Sequence, residues 1–246
     1  MVFKDQHILT AGQFDKEGLF VLFEEAKKME EIVKSGRDSD VLAGKYMATL
    51  FFEASTRTRF SFEAAMMHLG GRVLSNADMK GTSSLRKQET LEDTAKVVSQ
   101  MANVLVVRHY EVGSLAKFAK GSDVPVINAG EGPAEHPTQG ALDLYTIWKE
   151  RRSLDRLTVG MIGDLKNSRV QHSQCTLLKH FDVKFVLYSP ESLKMPHEVL
   201  KELSGHEVKI AESVEDLVEA ADVISVSRVQ EERFEDKNEY RKVAGS

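Results

Sequence analysis

The chain of 246 residues has a single cysteine, Cys175. One thiol rules out a disulfide framework and makes a reducing compartment the default, and Cys175 reads as a small buried apolar residue before a reactive one. Excess positive charge is also missing. The 33 basic residues against 38 acidic ones leave a net charge of -5, which gives no general attraction to nucleic acid or anionic membrane. Any basic site must therefore be local. No apolar run approaches the length of a membrane span and no signal-peptide core opens the chain, so the expectation is a soluble cytoplasmic protein without nucleic-acid or membrane partners. Glycine-rich phosphate motifs are absent as well. There is no P-loop pattern, and the Gly163-Asp164 turn lacks the other glycines of a dinucleotide fingerprint, which argues against NAD.

What is present is a stretch that changes character twice. Met47, Ala48, Leu50, Phe51 and Phe52 form an apolar run of buried-strand length; Ser55, Thr56, Arg57, Thr58 and Arg59 follow; Phe60, Ala64, Met67 and Leu69 then return at helical spacing. The pattern predicts a strand, a polar turn and a helix start. A helix's first turn has backbone N–H groups without intrahelical acceptors and carries the positive end of the dipole, so it attracts anions. Ser55 or Thr56 can cap it. Hydroxyls beside two guanidinium groups suit phosphate oxygens, so this stretch is expected to be a phosphate cradle. An ordinary capped helix with a solvated basic first turn is the plainer reading of the same residues.

With 41% hydrophobic residues there is material for two α/β domains, expected at 1–150 and 151–246. Leu19, Phe20, Leu22, Phe23, Ala26, Met29 and Ile32 give 18–33 the stripe of an amphipathic helix. After Gly70-Gly71, Arg72 opens a short strand, and 75–89 is a polar loop of a length that is uncommon unless functional or disordered. A helix over 90–101 leads to a strand at 104–107 that runs into Arg108-His109, and a strand at 124–127 ends at Asn128. Charged residues at the carboxyl ends of buried strands lie where open α/β sheets hold ligands. His136 gains weight as a candidate from its place between a strand end and the helix of 138–152. The second half repeats the alternation, with strands at 157–162, 184–188, 207–210 and 222–225 and helices after Arg169 and over 214–220.

Taken together these residues resemble the transcarbamoylase family. Ser55-Thr56-Arg57-Thr58-Arg59 with His136-Pro137-Thr138-Gln139 looks like its carbamoyl-phosphate signature. The loop ending Lys87-Gln88-Glu89-Thr90-Leu91, the Gly163-Asp164-Leu165-Lys166 to Arg169 segment and Arg228-Val229-Gln230 resemble its aspartate branch. The resemblance implies transfer of a carbamoyl group from carbamoyl phosphate to the amine of L-aspartate, a step toward pyrimidines, with no metal or cofactor. It implies that Ser55, Thr56, Arg57 and Thr58 hold the phosphate, that Thr58, Arg108 and His136 face the carbonyl oxygen, and that Gln139 lies near the carbamoyl amide. Arg169, Arg228 and Gln230 would hold the aspartate carboxylates. Ser83 and Lys87 would complete a neighbouring subunit's site in a homotrimer, and regulatory chains or fused pathway enzymes are partners the family admits.

Two departures from the family pattern are visible. Gln88 stands where relatives carry a glycine, which restricts the backbone where the loop must close. A later His-Pro-Leu-Pro-Arg segment and covering helices are not in the sequence, so the second domain is expected to be C-terminally incomplete, with a weak aspartate half-site. An ornithine-branch enzyme and a non-catalytic carbamoyl-phosphate-binding or assembly protein stay open as alternatives. The fold expected is α/β, two domains, each with a mainly parallel sheet flanked by helices.

Overall fold

The computed structural model describes residues 3–37, 39–82, 89–229 and 240. The chain divides into two compact units, Met1–Thr138 and Gln139–Ser246. That division falls in the first turn of helix α6 (Pro137–Arg151), so the helix belongs mainly to the second unit, whereas the sequence reading ended the first domain at 150.

The first unit is a parallel four-stranded sheet in the order β2-β1-β3-β4, built from β1 (Tyr46–Phe51), β2 (Arg72–Asn76), β3 (Val104–His109) and β4 (Val126–Glu131). Around it run α1 (Lys16–Lys34), α2 (Arg57–His68), α3 (Met79–Thr82), α4 (Leu91–Ser99) and α5 (Ser114–Lys120). Strand alternation sends apolar side chains to both faces, and helices cover both. Ala48, Leu50, Leu105 and Val107 pack with Ala95, Leu115 and Phe118 of α4 and α5, while Met47, Phe51 and Val106 pack with Met66 of α2. Ahead of α1, Ile8 lies along β4, with its N–H donating to Val126 O and its carbonyl accepting from Asn128 N–H, both at 2.8 Å.

β4 corrects the sequence reading, which ended this strand at Asn128. It continues through Glu131 because Asn128, a polar residue in an apolar run, is fully buried and satisfied: Nδ2 donates to Leu9 O at 2.7 Å and Oδ1 accepts from Gly130 N–H at 2.7 Å.

The second unit is another parallel four-stranded sheet in the order β7-β6-β5-β8, from β5 (Leu157–Gly163), β6 (Val183–Tyr188), β7 (Val208–Ile210) and β8 (Val223–Ser227). Its further helices are α7 (Arg169–Leu178), α8 (His197–Glu202) and α9 (Val214–Ala220). Val186 packs with Leu217 of α9 on one face. Met161 of β5 meets Cys175 of α7, with 3.7 Å between the sulfurs, and burial pushes the Cys175 thiol up to about 12. Such a thiol stays protonated, as the apolar reading of the residue expects.

Candidate active site

In the first sheet the chain passes from β1 to β2 on one side and later to β3 on the other. Strand order therefore reverses between β1 and β3, and the carboxyl ends flanking such a reversal are where open parallel sheets form ligand crevices. The polar turn leaves β1 at that place. Phe51 is in register with Arg108 of β3, and Phe52 N–H donates to the Arg108 carbonyl at 2.8 Å.

The turn feeds α2, but Thr56 does not cap it as the sequence suggested. Thr56 has φ -80° and ψ -56°, a helical backbone, and its side chain makes no capping hydrogen bond. Thr90 stands in the same place ahead of α4 with ψ 162°, and its hydroxyl accepts from Asp93 N–H at 3.0 Å. An extended backbone turns the cap oxygen back over the first turn, and a helical one carries it onward around the axis. Consequently the first-turn N–H groups of α2 are left to solvent or a ligand.

The two arginines of the turn also part company. Arg57 is exposed, with no ion-pair partner among the described residues. Arg59 is folded into the protein: its guanidinium lies 3.1 Å from Glu63 Oε1 and donates to Ser75 Oγ at 3.0 Å. Thr49 and Ser75 donate to the same Glu63 oxygen at 2.8 and 2.6 Å. Burial raises the Glu63 carboxyl, but the Ser75 and Thr49 hydrogen bonds and the Arg59 charge outweigh it and hold the group below the ordinary glutamate value. Glu63, with Arg59 held against it, thus ties α2 to Thr49 of β1 and Ser75 of β2, a correction to the reading that gave both arginines to phosphate.

Arg108 is 8% exposed and meets Glu53 Oε1 through Nη2 at 2.6 Å. Its neighbour His109 is structural. It stacks on Tyr110 with ring centroids 4.5 Å apart, its Nδ1 accepts from Glu111 N–H at 3.0 Å, and burial lowers its pKa. His136 is buried in the turn that follows β4, with Nδ1 3.4 Å from Thr138 Oγ1. Ser55, Thr56, Arg57, Thr58, Arg108 and His136 therefore all lie on segments at the carboxyl edge of this one sheet.

The second sheet repeats the device. Its order reverses between β5 and β8; Arg169 opens α7 after β5, and Arg228 follows β8. Gly163 holds φ +106°, a backbone that side-chain-bearing residues rarely adopt, and an added Cβ would collide with the Ser227 carbonyl. The freedom of that residue lets the turn fold against β8. Buried Asp164 accepts from Asn167 N–H at 3.0 Å, and Ser227 Oγ donates to Asp164 O at 3.0 Å. These bonds fix the turn before Arg169 to the strand before Arg228. On α6, Gln139 Nε2 donates to Asp143 Oδ1 at 2.8 Å.

Comparison with known proteins decides the lineage. Residues 6–149 match the family model described as aspartate/ornithine carbamoyltransferase, carbamoyl-P binding domain, and 155–245 match its Asp/Orn binding domain. The chain is 44% identical over 248 residues to the aspartate carbamoyltransferase catalytic subunit of Methanococcoides burtonii, covering 100% of this chain and 80% of that one. The chain belongs to the aspartate/ornithine carbamoyltransferase family. Among solved structures it resembles the catalytic subunit of M. jannaschii aspartate transcarbamoylase, with TM-score 0.88, 41% identity, and coverage of 97% of this chain and 78% of that one. It also resembles aspartate transcarbamoylase from Trypanosoma cruzi in complex with carbamoyl phosphate and aspartate, with TM-score 0.90, 35% identity, and coverage of 98% and 78%.

Within that carbamoyltransferase frame, Ser83, Lys87, Gln88 and Gln230 lie outside the described residues. Sequence reasoning missed Glu53, although an acid between the apolar run and the hydroxyls was a visible signal beside so many cations. Asp143 was missed too, despite standing four residues after Gln139 on one helix face. No group of three or more His, Cys, Asp or Glu residues able to hold a metal is found among the described residues, and no described helix is long and apolar enough to cross a membrane.

Proposed function

We propose that this chain transfers the carbamoyl group of carbamoyl phosphate to the amine of L-aspartate, giving N-carbamoyl-L-aspartate and phosphate in pyrimidine biosynthesis. The amine nitrogen bonds to the carbonyl carbon, the bond from that carbon to the phosphate oxygen breaks, and an amine proton leaves to phosphate or solvent. Such chemistry requires a phosphate to be held, an oxyanion to be stabilised and an amine to be oriented. The observation that carries the reading is the open first turn of α2 with exposed Arg57, at the β1/β3 reversal beside Arg108.

In this reading Ser55, Thr56 and Arg57 hold the phosphate with the α2 N–H groups. Thr58, Arg108 and His136 serve the developing oxyanion, and Gln139 receives the carbamoyl amide. Arg169, Arg228 and Gln230 hold the two carboxylates of aspartate, for which guanidinium forks are suited. The relatives named for aspartate favour that acceptor over ornithine. Ser83 and Lys87 are assigned to a neighbouring site in a cytoplasmic homotrimer, and the designation of relatives as catalytic subunits supports association with further chains.

Assaying the chain with carbamoyl phosphate and either aspartate or ornithine tests the reaction. Product with aspartate alone is expected; product with ornithine would move the chain to the other branch, and phosphonate binding without turnover would make it a binding protein. Shared sites are tested by mixing inactive Arg57→Ala and Lys87→Ala chains, which should regain activity. No recovery in mixtures shown to have exchanged subunits would place Lys87 in its own chain's site or in none.

A further inference from the structure

Helix α6 carries a half-buried acid, Asp143, whose two carboxylate oxygens are met by side-chain amides. Gln139 and Asp143 share one face, four residues apart, and Gln139 Nε2 donates to Asp143 Oδ1 at 2.8 Å. From α7, Gln174 Nε2 donates to Asp143 Oδ2 at 2.7 Å. Each carboxylate oxygen thus receives one amide. Gln174 is 5% exposed and its Oε1 is buried without a hydrogen-bond partner, so this side chain keeps an unfavourable arrangement in order to serve Asp143. α7 reaches Asp143 because Gly140 faces it. A Cβ at Gly140 would stand 2.9 Å from Ser173 Cβ and 3.2 Å from Leu177 Cδ1, closer than packed carbons approach. Burial raises the Asp143 carboxyl, and the hydrogen bonds from Gln139 and Gln174 oppose that rise.

The chemistry of the pair sets the direction of Gln139. An ionised carboxylate only accepts hydrogen bonds, so Gln139 must turn its NH2 toward Asp143 and keep its carbonyl oxygen for another donor. We propose that Asp143, anchored by Gln174, is a positioning residue that fixes the Gln139 amide with Oε1 as an acceptor for the N–H of the carbamoyl group. The inference rests on the carbamoyl-transfer reading. It identifies what distinguishes a carbamoyl donor from an acyl donor of the same shape: acetyl phosphate offers a methyl group where carbamoyl phosphate offers NH2, and an oriented acceptor favours the second.

The test compares kcat/KM for carbamoyl phosphate and acetyl phosphate with aspartate as acceptor, in the full chain and in Asp143→Asn, Asp143→Leu and Gln139→Ala. Loss of an oriented acceptor should lower the carbamoyl-to-acetyl ratio about tenfold in Asp143→Leu. Asp143→Asn, which fits the same space and can face Gln139 with either end of its amide, should lower it less. In the Gln139→Ala background, Asp143→Leu should change the ratio no further, because the group it positions is gone. A structural role alone would lower both donors alike, so an unchanged ratio in folded Asp143→Asn and Asp143→Leu overturns the proposal. So does an equal fall with and without Gln139. Should Asp143→Leu fail to fold, Gln174→Leu removes the second anchor, and its ratio must also fall. If the unsubstituted chain transfers from neither donor, the carbamoyl-transfer reading itself fails and the inference goes with it.

Discussion

The two units use one topology for opposite kinds of edge. Each has a four-stranded parallel sheet whose order reverses once, between β1 and β3 in the first and between β5 and β8 in the second. In the first unit the segment leaving the reversal is open: α2 starts without a side-chain cap and Arg57 extends into solvent. In the second it is closed upon itself, since Asp164 holds Asn167, Ser227 holds Asp164, and Ser168 caps α7 by accepting from Gln171 N–H. An open turn supplies unspent N–H groups and a free charge for a ligand. A closed one supplies rigidity, which suits residues such as Arg169 that must be aimed. Fold alone does not set which chemistry an edge performs.

Removing Arg57 should break the comparison most sharply. Arg57→Ala is expected to reduce transition-state stabilisation by about 2–4 kcal/mol, the scale of a preorganised charge-assisted donor. Its melting temperature should stay within a degree or so of the parent, because an exposed side chain without an ion-pair partner holds nothing together. Calorimetric titration with a bisubstrate phosphonate and a thermal scan on the same sample separate the effects. Undiminished phosphonate affinity would remove the open turn from the site.

Arg59→Ala should do the reverse, since its partner Glu63 is buried with three donors on one carboxylate. Leaving that carboxylate short of its cation should lower stability by about 1–3 kcal/mol. The pH dependence follows from the sign of the Glu63 shift. Its folded pKa lies below the ordinary value, so its contribution is present above the ordinary glutamate range and is lost as pH falls through the lowered one. Thermal scans from neutral to acid pH should show parent and Arg59→Ala converging at the acid end. A gap that widens toward acid would contradict this account of the cluster.

A third substitution probes the second unit's interior. Gly140→Ala adds one methyl group where Ser173 and Leu177 leave no room, and overpacking of this kind costs about 1–3 kcal/mol. Chemical denaturation should show the loss. An unchanged midpoint would mean that α6 and α7 part without penalty, and the distance from Gln174 to Asp143 would then need another cause.

Most of the architecture was legible because it rests on periodicity. The apolar runs at β1, β3, β5 and β6 and the stripe of α1 state their own structure, and the two edges follow from strand order. Three helices escaped: α3 has four residues inside the stretch read as a polar loop, too few to show a period. α5 follows Gly113, whose φ of +87° and missing side chain provide no capping signal, and α8 has six residues, too few for a stripe. The division of labour between Arg57 and Arg59 was readable in principle. Residues two apart on a helix point about 200° away from each other, so both could not face one phosphate. Glu63 and Asp143 were harder, because what each does depends on Ser75 in one case and Gln174 in the other, partners that only the packed structure brings to them.

The smallest expected effect sharpens the comparison furthest, because it isolates backbone conformation from residue type. Thr56 and Thr90 both precede a helix, yet only Thr90 has the extended backbone that lets its hydroxyl accept from the first turn. Thr90→Ala should therefore lower stability by about 1 kcal/mol, as loss of a working cap does. Thr56→Ala should change stability by no more than a few tenths of that, because no cap is lost, while ligand affinity falls with the hydroxyl that would meet phosphate. Urea midpoints for the two variants, followed by phosphonate titration, give a crossed pattern in which each loses what the other keeps. Equal stability losses would mean that Thr56 caps α2 in solution, and the open first turn on which the phosphate site depends would be closed.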